Sequence, residues 1–319
     1  MKVAVVGAGV MGCATAWALH ERGAEVSVHE QFDLDHARGS SHGRTRIFRL
    51  AYPEPYWVRF AQEAYTGWQE LDPDLLGLYG LIELVADPRL MSARALDLCS
   101  VPYRVLGRDE VRANGANLPD GWSALYVSDA GVVFADRARR AFIEAAGVEV
   151  ETNRRIESTD ELDADIVVVT AGSWIRDFFP DLPVTVTRET VAYFSREGPP
   201  PPSIVDLNAE TGGHGMYSLF DPVHGLKAGA HHAGAETDPD TDALPDPAIV
   251  GRIAAWVGER FPDVDSEPVD AQSCLYTSTA DEHFILERRG RVVIGSACSG
   301  HGFKFAPAVG RRLAALALE

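Results

Sequence analysis

Three glycines near the start of the chain have the spacing of a dinucleotide-binding loop. In Gly7-Ala8-Gly9-Val10-Met11-Gly12, the first glycine permits a tight turn, the second lets a pyrophosphate approach the backbone, and the third lets a helix pack closely on a strand. Glu30 follows Gly12 by 18 positions, near the offset of about 20 residues at which a carboxylate binds a ribose hydroxyl. The pattern predicts that Gly7, Gly9, Val10, Met11, Gly12 and Glu30 bind a dinucleotide.

The elements around this motif are those that such a loop requires. Residues 2–6 are apolar and β-rich, a helical stretch runs to Leu19, and a second strand over residues 25–29 ends on Glu30. A glycine turn in an empty α/β sheet is the alternative, but strand, glycines, helix, strand and acid occur in the required order. The acid disfavours a 2'-phosphate and hence NADP, whereas NAD and FAD both remain open.

The rest of the chain indicates two kinds of sheet. Residues 165–170 form a second nearly apolar strand, which we place in the same parallel sheet as the first. From Val184 the sequence alternates as in an antiparallel sheet, residues 246–260 look helical, residues 291–295 form a strand, and a last helix starts near Pro307. Proline and glycine residues interrupt the stretch from about Asp72 to Asp136, which predicts an inserted layer of structure.

Composition limits the classes of partner. The 319 residues include 29 Lys and Arg against 47 Asp and Glu, a formal net charge of −18. Such a surface repels phosphate backbones and anionic lipids, so neither nucleic acid nor a membrane is expected as a partner. No apolar run is long enough to span a bilayer and the start reads as structure, so we expect a cytoplasmic protein. An anionic substrate would need local cations such as Arg46, Arg49, Lys227 and Lys304.

The cysteines offer no conventional metal site. Cys13, Cys99, Cys274 and Cys298 are scattered, without a close pair of metal-ligand spacing. The spacing therefore suggests neither a disulfide scaffold nor a zinc site, and no metal is predicted.

Four further segments carry cations, histidines and a cysteine in glycine-rich or apolar surroundings. They are residues 40–52 (SSHGRTRIFRLAY), 225–231 (GLKAGAH), 274–284 (CLYTSTADEHF) and 299–305 (SGHGFKF). Together with the glycine motif they resemble, in the same order, monomeric sarcosine oxidase and N-methyltryptophan oxidase. These are FAD-dependent amine oxidases of the D-amino-acid-oxidase superfamily.

The resemblance implies a fold and a domain division. The fold class is α/β (α+β overall), with a Rossmann-type FAD-binding domain and an antiparallel-sheet substrate domain, as in D-amino-acid oxidase. The FAD-binding domain would comprise residues 1–80, 138–184 and 280–319, and the substrate or catalytic domain residues 81–137 and 185–279. We expect a monomer.

The resemblance also implies cofactor contacts beyond the glycine motif. They are Ser41, His42, Thr45, Arg46, Ala171, Gly172, Trp174, Cys274, Gly300, Gly302, Phe303 and Lys304. Cys274 corresponds to the cysteine that carries the flavin through a thioether in this family, a reaction suited to a thiolate beside a cation. A buried structural cysteine is the alternative.

The resemblance implies that six residues take part in catalysis. Lys227 corresponds to the lysine that activates oxygen, with an exposed lysine on a turn as the alternative. Arg49 and Lys304 correspond to the pair that grips the substrate carboxylate, with a structural salt bridge as the alternative. His231 corresponds to an active-site histidine, and Tyr217 and Tyr276 are expected to line the cavity.

The implied reaction oxidises a small carboxylated secondary amine or amino acid. Hydride transfer to the flavin gives an imine, and O2 then reoxidises the flavin and yields H2O2. The rivals are an NAD-dependent dehydrogenase and a flavoprotein tailoring or binding protein with a non-amino-acid ligand.

This chain also departs from the family's pattern. Ala230 and Cys298 stand where sarcosine oxidase has aromatic residues, Arg44 replaces an aspartate, and Ser41 and Leu50 replace histidines. Loss of ring volume at the first two positions predicts a substrate bulkier than sarcosine.

Overall fold

The apolar runs and alternating segments of the sequence form helices and strands in a computed structural model, which describes residues 1–87, 92–207, 215–242 and 244–319. The α-helices in these ranges are α1 (Val10–His20), α2 (Pro55–Leu71), α3 (Ala93–Leu98), α4 (Arg108–Ala113), α5 (Ala135–Ala146), α6 (Ile175–Phe178), α7 (Pro247–Arg260) and α8 (Ala306–Leu318). The strands are β1 (Lys2–Val6), β2 (Glu25–His29), β3 (Thr45–Phe48), β4 (Leu76–Gly77), β5 (Leu81–Val85), β6 (Arg104–Leu106), β7 (Ser123–Val127), β8 (Gly131–Phe134), β9 (Val150–Glu151), β10 (Ile166–Val169), β11 (Thr185–Ser195), β12 (Ser203–Asp206), β13 (Met216–Asp221), β14 (Gly225–Ala230), β15 (Ala235–Glu236), β16 (Asp270–Ser278), β17 (Ile285–Arg289) and β18 (Val292–Ser296).

A mainly parallel sheet forms where the sequence is almost wholly apolar. Its order is β17-β18-β10-β1-β2-β9, and β1 runs parallel to both β10 and β2. Val3, Val5 and Val168 pack in one core with residues of α1, α5 and α8, whereas Ala4 and Val167 pack in a second core on the other face. Burial on both faces explains the valine runs, and the prediction that residues 165–170 join the first strand is confirmed.

The larger sheet has nine strands and covers the parallel sheet's strand ends. Its order is β15-β11-β14-β13-β12-β5-β7-β6, and β16 also pairs with β11. All pairs are antiparallel except β12 with β5. In β14, Leu226, Ala228 and Ala230 pack in one core with residues of α7, so the two-residue period of a strand turns Lys227 to the opposite face. The expected helix over 246–260 is α7.

A three-stranded sheet, ordered β3-β8-β4, positions the first group of cations. β3 carries Thr45 and Arg46, is followed by Arg49, and pairs antiparallel with β8. The stretch from Asp72 to Asp136 supplies β4 and β8 here and β5, β6 and β7 to the larger sheet. This stretch is therefore shared between two sheets.

Parallel and antiparallel sheets occur together as the sequence predicted, and the fold class is confirmed. The domain boundaries given above stay a prediction. In the described ranges, the helices lack the combination of length and apolar character that crossing a membrane requires.

Candidate active site

Nearly all of the predicted site residues line one continuous cavity. It starts at the carboxyl ends of β1, β2 and β10 and continues beneath β13, β14 and β16, the position where open α/β sheets bind ligands. Gly12 alone among the predicted residues is outside its lining. The lining includes Gly7, Gly9, Val10, Met11, Glu30, Ser41, His42, Thr45, Arg46, Arg49, Ala171, Gly172, Trp174, Tyr217, Lys227, His231, Cys274, Tyr276, Gly300, Gly302, Phe303 and Lys304.

The glycine end of the cavity has no room for side chains. Gly7 has a φ of +94°, and a Cβ there would lie 2.6 Å from the carbonyl oxygen of Thr170. A Cβ on Gly12 would lie 1.9 Å from the carbonyl oxygen of Gly7. Gly12 therefore lets α1 approach β1 rather than facing the cavity. Gly9 is the N-cap of α1 and lines the cavity together with Val10 and Met11, so the N-terminus of this helix faces the cavity.

Glu30 is held at the end of β2 by backbone amides. Its side chain accepts hydrogen bonds from the N–H groups of Ala8 (2.8 Å) and Phe32 (3.0 Å), and the residue is 5% exposed. His36 Nε2 lies 3.8 Å from the same carboxylate. The acid is thus fixed beside the glycine loop, where the dinucleotide pattern requires it.

Several basic residues at this end were missed by the sequence analysis. His36, Arg139, Arg154 and Arg155 line the cavity beside Glu30. Arg139 comes from α5 and donates to the carbonyl of Leu34. These residues reach the site through long-range packing, so only the adjacent pair Arg154-Arg155 after β9 left a visible signal in the sequence.

The third cofactor segment is covered by an acidic loop. Trp174 lies in a short 3-10 turn after β10, and its Nε1 donates to Asp240 (2.7 Å). Arg155 lies 3.7 Å from the same carboxylate. The loop after β15 thereby packs over this end of the cavity.

The segment before and within β3 holds a guanidinium against backbone carbonyls. Arg46 donates to the carbonyls of Thr45 (2.9 Å), Ser40 (2.9 Å) and His42 (2.5 Å). Ser41 Oγ accepts from the N–H of Val10 (3.0 Å), which ties this segment to the start of α1. Burial, then Arg46, lowers the pKa of His42 to about 3, so its ring is neutral.

Lys227 is a buried lysine on the cavity face of β14. It is 5% exposed, and its Nζ donates to the Thr45 carbonyl (3.3 Å) and lies 5.7 Å from the centre of the Tyr193 ring. Burial, and then the charge of Arg46, lowers the pKa of Lys227 to about 7. The alternative of an exposed turn is wrong, because Lys227 lies inside a strand.

Cys274 faces the same space from β16. Burial raises the pKa of its thiol, and the charges of Arg46 and Lys227 act in the opposite direction. The thiol therefore lies beside two cations that favour its thiolate form.

Arg49 and Lys304 form a second cationic group. Lys304 is 2% exposed, and its Nζ donates to the carbonyl of His301 (2.6 Å). Arg49 lies over the ring of Tyr52 at 4.2 Å, and Lys304 Nζ is 5.8 Å from the same ring centre. Burial, then Arg49, holds the pKa of Lys304 well below its usual range. Neither cation forms a salt bridge with any described carboxylate, so the structural salt-bridge alternative finds no support in these parts of the chain.

Two tyrosines and a histidine complete this end. Tyr217 and Tyr276 are hydrogen-bonded to each other, and burial raises the pKa of both. His231 packs edge-on against Tyr276 with ring centres 5.7 Å apart. Gly300 has a φ of +71°, and a Cβ there would lie 2.4 Å from the Tyr276 ring, so a glycine is required where this loop meets the tyrosine.

One expected feature of this end is wrong. Ala230 packs in the core under α7 and does not line the cavity, because it lies an odd number of positions from Lys227 along β14. Cys298 does line the cavity. Of the two positions thought to enlarge the substrate space, only Cys298 can do so.

Other polar residues near the cavity were not predicted. Arg44 donates two hydrogen bonds to the buried carboxylate of Asp221 (2.9 and 3.0 Å), a bidentate pair that explains an arginine at this position. The side chains of His231, His232 and Glu282 each place one ligand atom within 4.8 Å of the others. In the sequence, the adjacent histidines His231 and His232 are the feature that indicates this group.

Comparison with known proteins identifies the family. The model of the FAD dependent oxidoreductase family matches residues 2–316. The chain belongs to this family. Human peroxisomal sarcosine oxidase is 31% identical, with 99% of this chain and 91% of the human protein covered. Monomeric sarcosine oxidase of Bacillus sp. (strain B-0618) is also 31% identical, with 99% and 92% covered. The predicted resemblance and the predicted FAD-dependent oxidoreductase are confirmed, and the open choice between NAD and FAD is decided for FAD.

Solved structures share the fold. NikD, described as an unusual amino acid oxidase essential for nikkomycin biosynthesis, has a TM-score of 0.85 at 23% identity, covering 99% of this chain and 93% of NikD. L-proline dehydrogenase from P. horikoshii has a TM-score of 0.85 at 18% identity, covering 99% and 92%.

The residues present fit FAD. The glycine cradle leaves no space that a Cβ could occupy, as a pyrophosphate-binding loop requires. The lining then continues from Glu30 past Arg46 to Cys274 and Lys227, which gives an elongated ligand polar contacts along its length. His42 Nε2 is buried in this region without a hydrogen-bond partner among the described residues, so a polar ligand atom would satisfy it.

Proposed function

We propose that the protein is a FAD-dependent oxidase of a small carboxylated secondary amine or amino acid, producing an imine and H2O2. The observation that carries the proposal is the cavity itself. It joins a dinucleotide-binding loop to two cations, half-buried Arg49 and buried Lys304, neither of which forms a salt bridge with a described carboxylate. When bound, FAD supplies the two-electron chemistry, and the protein supplies binding, orientation and electrostatics.

The cofactor would be held along three segments. Gly7, Gly9 and the N-terminus of α1 suit the pyrophosphate, and Glu30 suits a ribose hydroxyl. Ala171, Gly172 and Trp174 bound the same end, while Ser41, His42, Thr45 and Arg46 extend toward the larger sheet. Gly300, Gly302 and Phe303 complete the contacts below Tyr276.

The substrate carboxylate would bind Arg49 and Lys304. A guanidinium offers a carboxylate two parallel hydrogen bonds, and both cations lie beside the Tyr52 ring without a salt bridge to a described carboxylate. The names of the relatives, sarcosine oxidases, fit an amine that carries a carboxylate. Cys298 in the lining leaves room for an amine bulkier than sarcosine, such as a cyclic imino acid.

The electrostatics of this end favour an unprotonated amine. Burial, His232 and Arg49 lower the pKa of His231, and burial with Lys304 lowers the pKa of His301. Since nearby positive charge penalises any further proton, the same surroundings would lower the pKa of a bound ammonium group. The lone pair on the amine nitrogen is needed for its oxidation, so no separate general base is required.

Lys227 would act in the reaction with oxygen. Its ammonium lies on the cavity face of β14 and is fixed by the Thr45 carbonyl. A fixed cation stabilises negative charge that develops on O2. This role uses Lys227 in one half-reaction only.

Cys274 is the proposed attachment point of the flavin through a thioether. Arg46 and Lys227 favour the thiolate form of Cys274, in opposition to the burial that raises the pKa of its thiol. Acid precipitation should leave the yellow colour in the pellet, whereas Cys274→Ala should release it to the supernatant, with Cys99→Ala as the matched control. Free FAD from the unaltered protein would contradict covalent attachment.

The proposed function is tested by an anaerobic screen. Amino acids and N-methyl amines are mixed with the yellow protein, and loss of flavin absorbance identifies the substrates. Carboxylated secondary amines should bleach the flavin, and admission of air should restore the colour and form H2O2. A binding protein that has lost the reaction would remain yellow with every amine.

A further inference from the structure

Three metal-binding side chains converge at one edge of the cavity, and the proposed oxidation leaves two of them without a task. His231 and His232 directly follow β14, and Glu282 lies in the turn between β16 and β17. One ligand atom from each lies within 4.8 Å of the other two. The group therefore joins the larger sheet to a turn of the sheet below it.

The spacing matches the coordination of zinc. Ligand atoms about 2.0–2.1 Å from a tetrahedral zinc ion are about 3.3–3.4 Å from one another. His232 Nε2 is already 3.3 Å from Glu282 Oε1. The His231 ligand atom lies within 4.8 Å of both, and its approach would complete a set of two imidazoles and one carboxylate, with a fourth position left for water.

The backbone holds two of the three ligands in an unusual conformation. His232 has a φ of +52° and Glu282 a φ of +60°, a region that residues with a side chain seldom adopt. Such residues persist where the surroundings fix them, and they cluster at functional sites. The rings of His231 and His232 are fixed further, because both pack edge-on against Tyr276.

Access from solvent also suits a cation. The cationic side chains that face His231 are Arg49 and Lys304, and Glu282 supplies the negative charge of the ligand set. The Glu282 side chain is 45% exposed and that of His232 13%, so an ion has a route from solvent.

We propose that His231, His232 and Glu282 form a binding site for one divalent ion of the zinc class. The bound ion would link the end of β14 to the turn before β17. Since an ion that binds only the folded state stabilises it, zinc should raise the temperature of thermal unfolding. The site does not depend on the proposed oxidase activity.

Zinc binding to the purified flavin-containing protein tests the proposal. After treatment with EDTA and buffer exchange, equilibrium dialysis and calorimetric titration with Zn²⁺ should give one ion per chain. His232→Asn, in which asparagine tolerates the positive φ, and Glu282→Gln should each weaken binding at least about tenfold. Zinc should raise the unfolding temperature of the native protein and not that of His232→Asn.

The control is His20→Gln, which removes an exposed histidine at the end of α1 and should bind zinc like the native protein. Flavin content and circular dichroism establish that each variant is folded, and Glu282→Gln serves if His232→Asn is not. The proposal is overturned if the native protein binds no zinc, or if folded His232→Asn or Glu282→Gln binds it with native affinity.

Discussion

The two ends of the cavity differ in the groups that line them, which are backbone groups at one end and charged side chains at the other. At the glycine end, the contacts come from backbone groups of a short stretch around Gly7 and Gly12, and added atoms would collide with other backbone atoms. At the other end, the cations come from three separate segments and have few polar partners: Lys227 and Lys304 are buried and Arg49 is half-buried. The first end recognises a fixed group by shape, whereas the second maintains charges that a ligand or an intermediate can use.

This difference separates the effects that substitutions should have. A change at the glycine end alters folding and cofactor binding together, because the cradle is also the helix–strand contact. A change at the cationic end removes a charge that burial already disfavours, so the fold should tolerate it while the chemistry does not.

The largest effect is expected for Lys227→Met, which removes the charge and keeps the length. In stopped-flow mixing with O2, flavin reoxidation should slow by about 10²- to 10³-fold, while anaerobic reduction by an amine changes little. Lys2→Met, which removes an exposed lysine, is the matched control. Equal slowing of both half-reactions would show that Lys227 does not act on oxygen alone.

The same lysine predicts a pH dependence. Because its pKa is lowered to about 7, the ammonium form is present below that pH and lost above it. The reoxidation rate should therefore fall as pH rises through about 7. In Lys227→Met this step in the profile should be absent, and its persistence would assign the titration to another group.

At the glycine end, Gly12→Ala is expected to cost about 1–3 kcal/mol of unfolding free energy, the usual cost of overpacking, and to lower FAD content. Gly251→Ala in α7 is the matched control, because a Cβ there meets no atom within 4 Å. That change should stabilise the helix by about 0.5–1 kcal/mol. Urea unfolding compares the two, and a neutral Gly12→Ala would refute the steric account.

The smallest effect concerns the acidic loop over Trp174. Asp240→Ala removes the acceptor of the Trp174 hydrogen bond and should weaken FAD binding by about 1 kcal/mol. The measurement is FAD dissociation in a Cys274→Ala background, where the cofactor can leave. Asp242→Ala removes a carboxylate from an exposed pair with Arg38 and should have no effect. Equal FAD dissociation in the two variants would show that the contact between Asp240 and Trp174 does not contribute to FAD binding.

Local patterns explain what the sequence could predict. The glycine motif, the two-residue period of strands and the apolar runs each arise from neighbouring residues, so the βαβ opening and the parallel strand at 165–170 were found correctly. The cationic end was found through resemblance, because Arg49, Lys227 and Lys304 are far apart in sequence.

Long-range packing explains what was missed. Arg139 lines the cavity and is held by Leu34, and Asp221 holds Arg44; in both pairs the partners are more than a hundred positions apart, and no local pattern records such pairs. The error at Ala230 was avoidable, since three positions along β14 from Lys227 must face the opposite side of the sheet.

The most direct test of the account compares pipecolate with piperidine, the same ring without its carboxylate, in the native protein and in Arg49→Ala. Anaerobic flavin reduction is followed over a range of amine concentrations. Arg49→Ala should cost about 2–5 kcal/mol of binding for pipecolate, the penalty for leaving a buried charge without its partner, and much less for piperidine. Equal losses for the two amines, or native reduction that is indifferent to the carboxylate, would contradict the assignment of Arg49 and Lys304 as the carboxylate site.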